Sequence, residues 1–208
     1  MPTDPALTLH SWLSPAFPTG AFSWSHGLET LIAEGTITNA DGLEQWLAGL
    51  LRYGSARSDA ILLARTMEGE DVADLAAALA PSRERYTETM EQGAAFARTI
   101  NATQPFTISE AAYPVAVGRA AMAAGMAPAM VLPLYLQAVI ANLIHAGIRL
   151  IPLGQTDGQR ILTALQPLCS DIAAEAETAP LDEIGTAMVL TDIASARHEA
   201  LYSRIFRS

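Results

Sequence analysis

Lysine is absent from this sequence, and all twelve basic residues are arginine. That removes a Walker A phosphate loop, a Schiff-base lysine and a kinase-type lysine, each of which needs an ammonium group at a fixed place. Cysteine is nearly absent as well. Cys169 stands alone, so neither an internal disulfide nor a cysteine-built zinc site can form, and a reducing compartment fits. Positive charge is scarce: 22 acidic residues against 12 basic ones give a net charge of -10. Nucleic acid and anionic membranes are poor partners for such a chain, because phosphate binding needs clustered positive charge. A basic protein surface fits better. The opening residues, MPTDPALTLH, lack the basic start and apolar run of a signal peptide, so the expected location is the cytoplasm.

Half of the 208 residues are hydrophobic and 16% are charged, which suits one large domain with a sizeable core rather than a disordered chain. Ala and Leu dominate the apolar content and β-branched runs are few, which favours helix over sheet. The stretch VLPLYLQAVIANLIHAGIRLIPLGQTDGQ, residues 131–159, organises the rest. Its first part is apolar on most of its helical circumference, with Asn142, His145 and Arg149 on one narrow stripe. That polar stripe, with Gln137 and Pro133, argues for a core helix rather than a lipid-facing span. Pro133 either kinks this helix or moves its start to about residue 132.

The spacing predicts further helices along the chain. One starts near Ser23–Ser25 and ends at Gly35. Thr38 and Asp41 form a capping box for the next, which carries a clean stripe of Leu43, Trp46, Leu47, Leu50 and Leu51. Ser82 caps a helix reaching Ile100 or Asn101. On it Glu84, Glu88 and Glu91 share a face, which reads as a solvated row or, less often, a docking site for a basic partner. Pro114 opens another helix, in which Gly118 marks a close approach. After the core helix, Thr156 with Gln159 caps a helix through Leu168. A short one follows over about 169–177, and the last covers about 185–202. The fold class is all-α: a single compact domain over 1–208, about ten helices around a central apolar helix at about 128–149. An N-terminal loop segment (1–22) and a C-terminal tail (203–208) flank it, both suited to partner binding.

Chemistry is hard to find. His10, His26, His145 and His198 are scattered, with no HExxH pattern. Ser25 and His26 are adjacent, so on a helix their side chains diverge. No catalytic residue, metal ligand or cofactor is assigned, and each histidine reads as a structural hydrogen-bonding group. Phe17, Phe22 and Trp24 crowd one short loop, as a core plug or as an aromatic patch for a partner. Ile205 and Phe206, flanked by Arg204 and Arg207, are unusually apolar for a tail. Such a tail folds back onto the body or is held ready for a partner.

Three segments in order, SPAFPTGAFSWSHGLETLIAEGTI, LIPLGQTDGQRIL and RHEALYSRIFRS, with AAYPVAVG between the first two, resemble the urease accessory protein UreF family over nearly the whole chain. The resemblance implies an all-α, dimer-forming urease maturation factor of chaperone type and no enzyme activity of its own. It implies an adaptor that joins UreD (UreH in some organisms) and recruits the GTPase UreG, for GTP-dependent nickel insertion into apo-urease. It marks Phe22 and Arg204 as functional positions and the tail, with Ile205 and Phe206, as the segment that meets UreD. Together with the aromatic loop and the polar corner after the core helix, the expected partner contacts are Phe17, Phe22, Trp24, Gln155, Asp157, Tyr202, Arg204, Ile205 and Phe206. Many relatives carry Tyr where Phe22 stands, so no role that needs a hydroxyl is carried over. Two alternatives remain: a regulator of UreG's GTPase activity acting through Arg204, and a stand-alone nickel-cation-binding protein.

Overall fold

The computed structural model describes residues 4–208 and is predominantly helical. Among those residues there are ten α-helices and no strand. They are α1 (Pro5–Leu13), α2 (Leu28–Ala33), α3 (Ala40–Tyr53), α4 (Ser55–Met67), α5 (Ala73–Ala78), α6 (Arg83–Thr103), α7 (Tyr113–Ala123), α8 (Pro128–Leu150), α9 (Gln155–Thr178) and α10 (Val189–His198). The expected N-terminal loop segment (1–22) is corrected in part, and its residues 1–3 lie outside the described ones. Asp4 accepts a hydrogen bond from the Ala6 N–H, and Pro5 stands at the first helical position. These start signals make a helix of Pro5–Leu13. Leu9 and Trp12 bury its inner side.

α8 is the hub. It is long and apolar enough to cross a membrane, yet it packs against α9, α4, α3, α2 and α1 as a core helix. The stripe on α3 is buried as its spacing demands, with Leu43, Trp46, Leu47, Leu50 and Leu51 all inside. Burying each such side chain is worth about 1.5–3 kcal/mol. An aromatic chain runs beneath α8: Trp12 meets Phe96 edge-on at 6.1 Å, Phe17 lies 5.2 Å from Phe96, and Tyr113 bridges Phe96 and Tyr135. These contacts clamp α1 and the loop after it to α6, α7 and α8.

Both internal prolines sit within unbroken helices. Pro133 leaves the Ala129 carbonyl without its helical donor, and Pro167 does the same to Thr163; both of those residues are exposed, so water can take the donor's place. The expected break before Cys169 therefore does not occur. The helix expected from Ser23–Ser25 starts later, at Leu28. Before it come a 3-10 turn (Ala21–Ser23), an extended Trp24, and two residues with left-handed backbone, His26 (φ 56°) and Gly27 (φ 79°). Asn39, not Thr38, caps α3 by accepting the Gly42 N–H at 2.9 Å. Gly118 does mark a close approach: a Cβ there would lie 2.8 Å from Thr66 Cβ and 3.0 Å from the Leu63 carbonyl.

Candidate functional site

The loop before α2 and the C-terminal tail meet on one face of the molecule, over α2 and the first half of α6. Trp24 is extended, and the tail runs alongside it. The Arg207 N–H donates to the Ser23 carbonyl at 2.8 Å, and the Ser25 N–H donates to the Ser208 main-chain oxygen at 3.1 Å. Arg207 stacks its guanidinium over the Trp24 ring at 4.2 Å, and Arg149 from α8 covers Phe206 at 4.6 Å. Phe206 and Ser208 are buried. Of the two fates open to this tail, folding back onto the body is the one adopted.

The acidic row on α6 is the tail's seat rather than a solvated face. Glu84 accepts from Arg204 at 3.1 Å, Glu88 from the Ser208 hydroxyl at 3.2 Å, and Glu91 from Arg207 at 2.6 and 3.0 Å. Helical spacing puts the three carboxylates on one side, and the tail's two arginines cover it. Glu88 is only 2% exposed. It is also paired with Arg85 one turn away and with His26 Nε2 at 2.7 Å, and it accepts from Gln92 at 3.1 Å. Burial alone would push its carboxyl up, but Arg85 and His26 outweigh that and hold it down at about 2. His26 is shifted the other way. Burial and the Arg85 charge lower its pKa despite Glu88, so the neutral ring donates from Nε2 and leaves Nδ1 without a partner.

A second knot ties α10 in. His198 is fully buried, with Glu29 of α2 2.9 Å from Nε2 and Glu84 2.8 Å from Nδ1. Glu29 also accepts the Ile205 N–H at 2.7 Å and the Phe206 N–H at 2.9 Å. Ser25 Oγ accepts the Glu29 N–H at 3.2 Å, capping α2. α10 is pinned further by Trp46 Nε1 donating to Thr191 and by Ser82 bonding Ser195. It ends at His198 rather than near 202, because the Ala200 and Leu201 N–H groups fold back in a turn onto Arg197 and His198.

The anticipated partner residues therefore divide. Trp24 and Phe206 are buried, Trp24 under the Arg207 guanidinium of the tail and Phe206 under the Arg149 guanidinium of α8. Phe17 is half-buried against Phe96. Phe22 (71% exposed), Tyr202 and Ile205 (58%) point outward. Arg204 is exposed but held by Glu84. Gln155 is exposed at the start of α9, and Asp157 caps that helix by accepting the Gly154 N–H at 3.1 Å, in place of the expected Thr156–Gln159 box. Gln155 and Asp157 belong to the α8–α9 corner, whereas the others gather where the segment before α2 meets the tail. Sequence reasoning did not single out Glu29, and it gave Ser25, His26, Glu88 and His198 no place in a shared site. The one usable signal was the spacing of the glutamates.

Behind this face lies a cavity of about 60 Å³ lined by His26, Asp59, Arg85, Tyr135 and Asn142 among others. Sites for organic ligands are several times larger, about 300–1,000 Å³. Burial raises Asp59 to about 6, with the Tyr135 hydroxyl 3.3 Å away. Among the described residues, no three His, Cys, Asp or Glu side chains converge so as to hold a metal ion. Ser25 Oγ is spent on the Ser208 oxygen and the Glu29 N–H. The arrangement joins segments of the chain together.

Comparison with known proteins supplies the family context. The family model for UreF matches residues 37–166. A urease accessory protein UreF from Cereibacter sphaeroides is 54% identical over 205 residues, covering 97% of this chain and 98% of its own. One from Roseobacter denitrificans is 46% identical, covering 100% of this chain and 96% of its own. One from Methylobacterium sp. is 45% identical, covering 98% and 88%. The matched model stops short of both chain ends, whereas these relatives extend over nearly the whole chain.

Proposed function

The chain belongs to the urease accessory protein UreF family, and from that premise we propose that it serves urease maturation as a non-catalytic, chaperone-type adaptor. It joins UreD (UreH), recruits the GTPase UreG and so supports GTP-dependent nickel insertion into apo-urease, acting as a homodimer in the cytoplasm. The observation that carries this reading is the outward display of Phe22, Tyr202 and Ile205 on a backbone anchored by buried neighbours. Large apolar side chains held exposed on a fixed scaffold are suited to a partner surface. Arg204 is engaged by Glu84. An arginine finger must reach a phosphate, so a GTPase-activating role would first have to strip it from that carboxylate, and the adaptor reading is preferred.

Co-purification with UreD tests it. The double variant Tyr202→Ala, Ile205→Asp changes only exposed side chains, so the helical circular-dichroism signal and melting temperature stay as in the wild type while UreD is no longer captured. Undiminished capture would refute the assignment of the tail as the UreD surface.

A further inference from the structure

We propose that His198 is a proton-dependent latch that holds α10 and the tail onto α2 and α6, and that the tail is released as the pH rises. The inference deepens the adaptor reading, since the latch governs how the tail surface is presented. It starts from hydrogen-bond inventory. An imidazole donates only from a ring nitrogen that carries a proton, and a neutral imidazole carries one. His198 has a carboxylate oxygen on each side, Glu29 at 2.9 Å and Glu84 at 2.8 Å. Ionised carboxylates only accept, so both contacts are hydrogen bonds only when the ring carries two protons.

The same two carboxylates hold the tail. Glu29 takes the Ile205 and Phe206 N–H groups, and Glu84 takes Arg204. The imidazolium is thus the central cation between two acids whose remaining oxygens grip residues 204–206. When the second proton leaves to solvent, one ring nitrogen turns a lone pair towards a carboxylate, in a place where His198 itself has no exposure. Glu29 and Glu84 then share less positive charge, and an unmatched buried acceptor pair is costly. The charged groups around the knot are Glu29 on α2, Glu84, Arg85 and Glu88 on α6, His26 before α2, and Arg204 and Arg207 on the tail. His26 makes one carboxylate contact and leaves its other nitrogen bare, as a neutral ring does, so it has no second proton to lose in the alkaline direction.

Amide hydrogen exchange of the full chain tests the latch. Protection of the Ile205 and Phe206 amides, corrected for the intrinsic rate, should fall about tenfold or more as the pH is raised, the fold-change of losing one charged hydrogen bond. Amides in the middle of α8 should hold their protection over the same range. His198→Gln should remove the pH step. Glu84→Gln is the decisive variant and does not depend on that one folding. Its carboxamide can donate to the bare Nδ1 and still accept from Arg204, so the tail should stay protected at alkaline pH. A purely structural histidine would give no such rescue. A flat wild-type profile, a step that survives His198→Gln, or a step unchanged in Glu84→Gln would each overturn the latch. UreD capture at a single pH is read separately, so the latch can fail while the adaptor reading stands.

Discussion

Replacing Phe206 by Ala probes how the tail is anchored. The ring is 4% exposed and lies under the Arg149 guanidinium at 4.6 Å. Burying a phenylalanine is worth about 1.5–3 kcal/mol, and a cation–π contact with an exposed arginine adds about 0.5–1 kcal/mol. Their loss weakens docking by about 3 kcal/mol, or roughly a hundredfold in the ratio of docked to undocked tail. The damage is local, because a terminal segment can lose no more than its own docking free energy. Two amides report on it directly: Arg207, which donates to the Ser23 carbonyl, and Ser25, which donates to the Ser208 oxygen. In Phe206→Ala both should exchange about a hundredfold faster than in the wild type, while amides of α8 change by less than about twofold. Unchanged exchange at Arg207 and Ser25 would refute Phe206 as the anchor. Equal acceleration throughout the molecule would refute the tail as a separately opening unit.

Two further outcomes follow from the interior. The Arg85 and His26 partners hold Glu88 down at about 2 in the folded chain, against 4.5 for a free glutamate, so its ionised form stabilises the fold above about pH 4.5, and that contribution is lost as the pH falls from there to about 2. Glu88→Gln should therefore lower the urea midpoint at neutral pH, by about 3–5 kcal/mol in stability if Arg85 is left buried and unpaired. The gap to the wild type should close in acid, and a pH-independent gap would count against the ion pair. Gly118→Ala forces a methyl group to within 3.0 Å of the Leu63 carbonyl and should cost about 1–3 kcal/mol in thermal unfolding; an unchanged melting temperature would show that α4 and α7 can separate freely.

Local grammar carried much of the fold. Ser82 caps α6 by accepting the Arg85 N–H at 3.1 Å, and the α3 stripe is buried residue for residue, because caps and apolar periodicity are written within a few neighbouring positions. The helix expected to stop at Leu168 runs on past Pro167 for a tertiary reason, since whether a helix survives a proline depends on which side its freed carbonyl faces. Gly158, a poor helix former inside α9, makes room for the Ile144 and Ile148 side chains of α8. The meeting of the tail with the loop before α2 was the least legible part. Spacing put Glu84, Glu88 and Glu91 together, but nothing near them in sequence announced that Arg204 and Arg207 would cover them. His198 looked like any scattered histidine, since its partners Glu29 and Glu84 are 169 and 114 residues away.

The pairing of Ser25 with Ser208 spans 183 residues, so it ties nearly the whole polypeptide into a ring. Closing a loop of that size in a flexible chain costs about 4–5 kcal/mol in entropy beyond a constant, more than a couple of hydrogen bonds return. Once the helices have assembled, the same ends are already neighbours and most of that cost has been met. The ring is therefore the last thing to close during folding and the first to open, and its closure certifies that everything between its ends is in place.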